Sequence, residues 1–150
     1  LSNAQTINNP RIDEQGNSVF TDIPDHLDVL CEMIAGGTAN LQFTMVSGMA
    51  PESEIWMHGT DGTLVIKTET TKDAGAPKLI LLGAEKSQAK LEKISIPNEE
   101  IGAWRVEEEF INAIRGKENI THTSFTDGVK YMKFTDAIYD SYMTGKKIHI

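Results

Sequence analysis

From Asp25 to Ser47 apolar and polar residues alternate in two runs on either side of Ala35-Gly36-Gly37, the pattern of two half-buried strands joined in a hairpin. A two-residue loop would set Leu41 and Met45 against Glu32 and Asp28. A three-residue loop instead pairs Leu27 with Met45, Val29 with Phe43, Cys31 with Leu41 and Met33 with Ala39, and gives one consistently apolar face. That register is predicted. It leaves His26, Asp28, Leu30, Glu32, Asn40, Gln42, Thr44 and Val46 on a mixed opposite face.

A second hairpin is predicted over Glu54–Thr68, turning at Asp61-Gly62 in a type I′ turn. Met57 then opposes Ile66 on the core face, and Trp56 and His58 take the other face, across from Lys67 and Val65. Lys78–Leu82 and Leu91–Ile96 read as two further strands. The period then lengthens to about 3.6. Pro97-Asn98-Glu99-Glu100 is suited to a helix N-terminus, Val106, Phe110, Ala113 and Ile114 form its apolar face, widened by Trp104 and Ile111, and Gly116 ends it. Thr126 is the expected N-cap of a second helix, along which Tyr131, Phe134, Ile138 and Tyr142 recur until Gly145. Lys146–Ile150 closes the chain as a short edge strand.

The first 24 residues are rich in Asn, Pro, Asp and Gly, and only Val19-Phe20 looks strand-like. Residues 1–19 are therefore expected to be a loop-like lead-in, with residues 20–150 as a single domain. Ser2-Asn3-Ala4 resembles the scar left by protease-cleaved expression tags.

Charge narrows the function classes. The 14 basic and 22 acidic residues give a net charge of −8, a field that repels nucleic acid and anionic lipid. The longest apolar runs, such as Leu79–Leu82, fall far short of the roughly 20 residues of a membrane span. A cytoplasmic protein is expected. The one cysteine, Cys31, lies in an apolar strand pattern and reads as a buried thiol.

Local motifs for chemistry are sparse. There is no strand, G-x-G-x-x-G, helix sequence to hold a dinucleotide, and Gly36-Gly37 joins two strands. His26, His58, His122 and His149 are scattered without metal-ligand spacing, so no metal site is expected. In Asp25-His26-Leu27-Asp28, strand alternation separates Asp25 from His26 but puts His26 and Asp28 on one face, where they read as a paired or solvated surface. Glu107, Glu108 and Glu109 are successive on a helix, roughly 100° apart, so they cannot converge and read as a solvated face. No G-x-S-x-G elbow is present, and Asn119-Ile120-Thr121 matches a glycosylation sequon by chance.

Three segments do carry a family pattern. Gly59-Thr60-Asp61-Gly62-Thr63-Leu64 is similar to a G-T-x-G-x-L turn, and Glu109-Phe110-Ile111-Asn112-Ala113-Ile114-Arg115-Gly116 to an E-F-x-x-A-I-R-G helix end. Asp127-Gly128, followed by Ala137, Ser141 and Gly145-Lys146-Lys147-Ile148, is similar to a closing D-G helix and terminal strand. In this order, from about Phe20 to Ile150, the chain resembles the C-terminal domain of the Gfo/Idh/MocA oxidoreductases, the family of glucose–fructose oxidoreductase and inositol dehydrogenase.

The resemblance implies an α+β domain with an open, mainly antiparallel sheet, helices on one face, and the other face free for homo-oligomerisation. It implies NAD or NADP for the full-length parent, a sugar or polyol dehydrogenase, with that cofactor held by an N-terminal Rossmann domain that this chain does not contain. The family's E-K-P lysine and its Asp/His helix have no counterpart here: Glu85-Lys86-Ser87 lacks the proline and the position. No catalytic, cofactor-binding or metal-binding residue is carried over, and the chain alone is expected to be inactive. Arg11 is the basic residue expected near substrate, and Trp56, Leu30 and Val46 are expected on the dimer face. The competing reading is a non-catalytic dimerisation or ligand-binding module.

Overall fold

The computed structural model describes residues 1–49, 53–69, 78–122 and 124–150. The class is α+β with antiparallel pairing, as expected, but the described strands form three separate sheets rather than one open sheet. Where the sequence pattern runs one domain through residues 20–150, the chain forms two compact units, Leu1–Gly48 with Arg105–Ile150, and Met49–Trp104.

The first unit holds β1 (Ser2–Gln5), β2 (Arg11–Ile12), β3 (Ser18–Val19), β4 (His26–Glu32) and β5 (Thr38–Thr44). Antiparallel pairing orders one sheet β1-β4-β5 and leaves β2-β3 as a separate ribbon. The lead-in is thus not loop-like. Residues 2–5 form a strand against β4, with Ser2 opposite Val29 and Ala4 opposite Leu27, because this edge satisfies the free backbone groups of β4 and buries Ala4. The β2-β3 ribbon is closed by Asp13, whose Oδ1 accepts the amides of Gln15 and Asn17.

The β4-β5 hairpin turns one residue earlier than expected. Val29 opposes Leu41, Leu27 opposes Phe43 and Cys31 opposes Ala39. The Gly36 amide donates to Met33 O, the Met33 amide donates to Gly37 O, and Gly36 takes φ 92°, so Ile34-Ala35-Gly36 forms the three-residue loop. Pairing shifts by two residues, and the faces are unchanged. Val29 is buried, on the side where β1 meets the second helix, while Leu30 on the other face is 52% exposed.

In the second unit, β6 (Glu54–His58), β7 (Gly62–Glu69), β8 (Lys78–Glu85) and β9 (Glu92–Ile94) make an antiparallel meander. Here too the turn sits one residue early. Thr60-Asp61 is the loop, the Gly59 amide donates to Gly62 O, and Met57 opposes Leu64 rather than Ile66. Gly62 is therefore not a positive-φ turn residue. It is a close-approach residue: a Cβ there would stand 2.5 Å from the Ala84 carbonyl oxygen of β8. The expected core face is also corrected. Val65 and Ile80, the buried apolar side chains of this sheet, lie on the side that carries Trp56, whereas Met57 is 43% exposed.

The helices are α1 (Val106–Ile114) and α2 (Phe125–Thr144). Asn98–Glu100 is one 3-10 turn, not the start of α1, because Ile101 returns to extended backbone. Trp104 precedes α1 and is 79% exposed. The N-cap of α2 is Ser124 rather than Thr126: Ser124 and Asp127 form a capping box, which satisfies two amide donors at once. Gly145 ends α2 at φ 65°. Residues 146–150 are not a strand. Lys147 instead pairs with the Glu32 carboxylate at the end of β4, so a side-chain ion pair replaces ladder bonds.

Among the described residues, buried apolar side chains are few: Ala4, Val29, Val65 and Ile80. No described helix is long and apolar enough to cross a membrane.

Candidate functional site

The lead-in folds back on the start of β4 to make an open groove of about 680 Å³, lined by Ile7 to Ile12, Pro24, Asp25 and Met45. Asp25 builds it. Its Oδ1 accepts the Ile7 amide at 2.7 Å, its Oδ2 accepts the Asn8 amide at 2.9 Å, and the same Oδ2 lies 3.4 Å from Arg11 Nη2. The Ile7 amide above all, then the Asn8 amide and the Arg11 charge, hold the Asp25 carboxyl below its ordinary range, against the opposing effect of burial. Asp25 is therefore an ionised anchor and a poor proton carrier.

Arg11 is fixed from three sides, since Nε donates to Asn8 O at 3.3 Å and Nη2 donates to Ile23 O at 2.6 Å as well as facing Asp25. Its side chain keeps 36% exposure. Asn9 locks the rim: its amide nitrogen donates to Thr21 O, and its Oδ1 accepts the Thr21 amide. The groove so formed offers a planar cation beside Asn8 and Asn9, with Ile7, Ile12, Pro24 and Met45 as apolar walls.

Arg11 is the residue the sequence placed nearest substrate, and it lines this groove. Asp25 carries no local pattern in the sequence that marks it as the organiser of this groove. The signal available was the density of turn-formers in residues 7–10, which need a side-chain acceptor for their amides. His26 turns away from the groove, as strand alternation requires, and Nε2 donates to Asp28 Oδ2 at 3.0 Å while Gln42 donates to Asp28 Oδ1. Among the described residues no group of three His, Cys, Asp or Glu is arranged to hold a metal ion.

Of the expected dimer-face residues, Leu30 stands on the uncovered face of the first sheet. Val46 lies past the end of β5, half-buried, its amide bonded to Thr44 Oγ1. Trp56 belongs to the second unit, is 50% exposed, stacks on His58 at 5.9 Å and donates Nε1 to Glu54. The structure thus puts Leu30 and Val46 in one unit and Trp56 in the other.

A second polar cluster corrects the reading of Glu107 to Glu109 as one solvated face. Glu109 is 1% exposed. Its carboxylate accepts the Thr121 hydroxyl at 2.7 Å, the Thr121 and His122 amides at 3.0 and 3.1 Å, and His122 Nδ1 at 2.6 Å. The Thr121 hydroxyl and then the His122 amide lower its pKa to about 2. This is a clamp that ties the loop after α1 to the helix. Glu108, by contrast, pairs outward with Arg105.

Compared with protein-family models, with curated proteins and with solved structures, the chain matches none.

Proposed function

We propose that the chain is the substrate-side and oligomerisation domain of an NAD(P)-dependent oxidoreductase of the Gfo/Idh/MocA type, acting on a sugar, polyol or related carbonyl compound in the cytoplasm, and inactive alone. The observation that carries the reading is the Arg11–Asp25 groove: a fixed guanidinium and two asparagines beside apolar walls, with the one carboxylate present already engaged. It binds and orients hydroxyl groups and leaves hydride transfer to a nicotinamide held elsewhere.

The segments that resemble the family support the reading by their local roles. Gly62 lets β7 approach β8, Glu109 ties the loop after α1 back to the first turn of that helix, and Ser141 seats α2 on β1. The uncovered sheet face around Leu30 in the first unit is the proposed surface for a second copy, and Trp56, half-exposed in the second unit, is a separate candidate contact. The reading frame preceding Leu1 tests the proposal. A segment of about 120 to 200 residues with strand, G-x-G-x-x-G, helix is expected; a stop codon immediately upstream of a native start overturns it.

A second reading, a non-catalytic dimerisation or ligand-binding module, is favoured by the same engagement of Asp25, since the groove then needs no chemistry at all.

A further inference from the structure

Helix α2 has two apolar faces, and one of them is bare. At 100° per residue, Phe134, Ala137, Ile138 and Ser141 share one side, where Ser141 is buried against β1. Phe125, Val129, Met132, Tyr139 and Met143 fall within about 40° of a line along the opposite side. These five are 83%, 56%, 59%, 61% and 61% exposed. A helix covering one sheet needs a single apolar stripe and a polar outer face. Phe110 of α1 extends the bare stripe, meeting Phe125 edge to face at 6.5 Å.

We infer that this stripe is the seam of an antiparallel α2–α2 contact with a second copy of the chain. Two observations choose that occupant. The first is area: the exposed parts of the five side chains amount to about 600 Å² per copy, so a self-pairing covers at most about 1,200 Å², the size of a weak, transient interface. The second is charge. Asp136 lies within the stripe, and Lys133 and Asp140 flank it on one side; among the described residues none of the three joins an ion pair. A parallel pairing would set each Asp136 beside its own counterpart. An antiparallel two-fold that brings Met132 level with the other copy's Tyr139 places Lys133 between the other copy's Asp136 and Asp140, twice by symmetry. The apolar seam and the charges are therefore satisfied in one register.

This contact is independent of the sheet-face association and of the oxidoreductase reading. Its test uses the full chain carrying Leu30→Glu and Trp56→Ala, which removes the sheet-face contact at exposed positions; circular dichroism checks that the fold is kept. Light scattering after size exclusion is expected to report a dimer, and Met132→Glu in that background a monomer. Lys133→Asp is expected to weaken dimerisation by about tenfold or more, and Lys133→Asp with Asp136→Lys and Asp140→Lys to restore it. A monomeric background chain at high micromolar concentration, a dimer indifferent to Met132→Glu, or a charge swap without rescue each overturns the inference. So does a stripe covered by another part of the same chain, which would leave every variant monomeric.

Discussion

The Ser2 amide donates to Ser141 Oγ at 3.0 Å, joining β1 to α2 across 139 residues of sequence. Ser141 in turn donates to Lys146 O at 2.7 Å, and Ser2 Oγ donates to Ile138 O at 2.7 Å. Both serines are buried, so each bond broken leaves a polar group without water to replace its partner. Ser141→Val is expected to destabilise the first unit by about 1–3 kcal/mol. Urea unfolding followed by circular dichroism measures it, and an unchanged midpoint would mean the bonds contribute nothing.

Glu109 gives stability a defined pH dependence. Its carboxyl titrates at about 2 in the folded chain and near 4.5 when unfolded. The folded pKa is depressed, so the stabilisation is complete above about 4.5 and is lost progressively as pH falls from there through about 2. Glu109→Gln is expected to flatten the slope of stability against pH in that window by the share of one carboxylate. Equal slopes for the two proteins would contradict the clamp.

Gly62 is required for space, not for torsion. Gly62→Ala puts a methyl 2.5 Å from the Ala84 carbonyl oxygen and is expected to cost about 1–3 kcal/mol in the second unit. Gly36→Ala meets open space but sits at φ 92°, so its cost of about 1 kcal/mol is purely torsional. Thermal melts of the two variants separate these causes: a neutral Gly62→Ala would show that β7 and β8 are not so closely apposed.

These cases mark what the sequence made legible. Strand alternation put Val29 on the buried face of β4, but Phe43, assigned to the same face of β5, is 58% exposed, and the pairing was misplaced by two residues. A shift of two preserves every inward and outward position, so burial patterning alone cannot detect it. The same slip in β6-β7 assigned Gly62 to a turn. In that sheet the buried side was also inverted, because Met57, Ile66, Val65 and Trp56 are all apolar and the alternation carries little contrast. Glu99 and Glu100 mimic a helix start but occupy an isolated 3-10 turn. Glu109 was hidden among neighbouring charges, its partners Thr121 and His122 lying twelve and thirteen residues away. Arg11 was visible as a lone cation in the lead-in, whereas the groove around it depends on Asp25, fourteen residues later, and no local pattern announces that.

The sheet face gives a separate outcome. Leu30→Glu places a charge on a 52% exposed position between Asn40 on β5 and the edge strand β1, and Trp56→Ala removes an exposed aromatic of the second unit. Each is expected to reduce self-association in sedimentation without loss of secondary structure. Association unaffected by both would remove this face from the account.

The central claim is that this chain supplies the hydroxyl-binding side of a site whose nicotinamide is bound elsewhere, and paired titrations test it most directly. Wild-type chain and Arg11→Ala are titrated with myo-inositol, glucose and NADH, following amide shifts by NMR. Weak, millimolar-range binding of a polyol or sugar is expected, with amide shifts confined to Ile7, Asn8, Asn9, Arg11, Ile12, Asp25 and Met45, its loss in Arg11→Ala, and no saturable response to NADH. Saturable one-to-one micromolar binding of NADH, or a groove indifferent to every hydroxylated ligand, would contradict it.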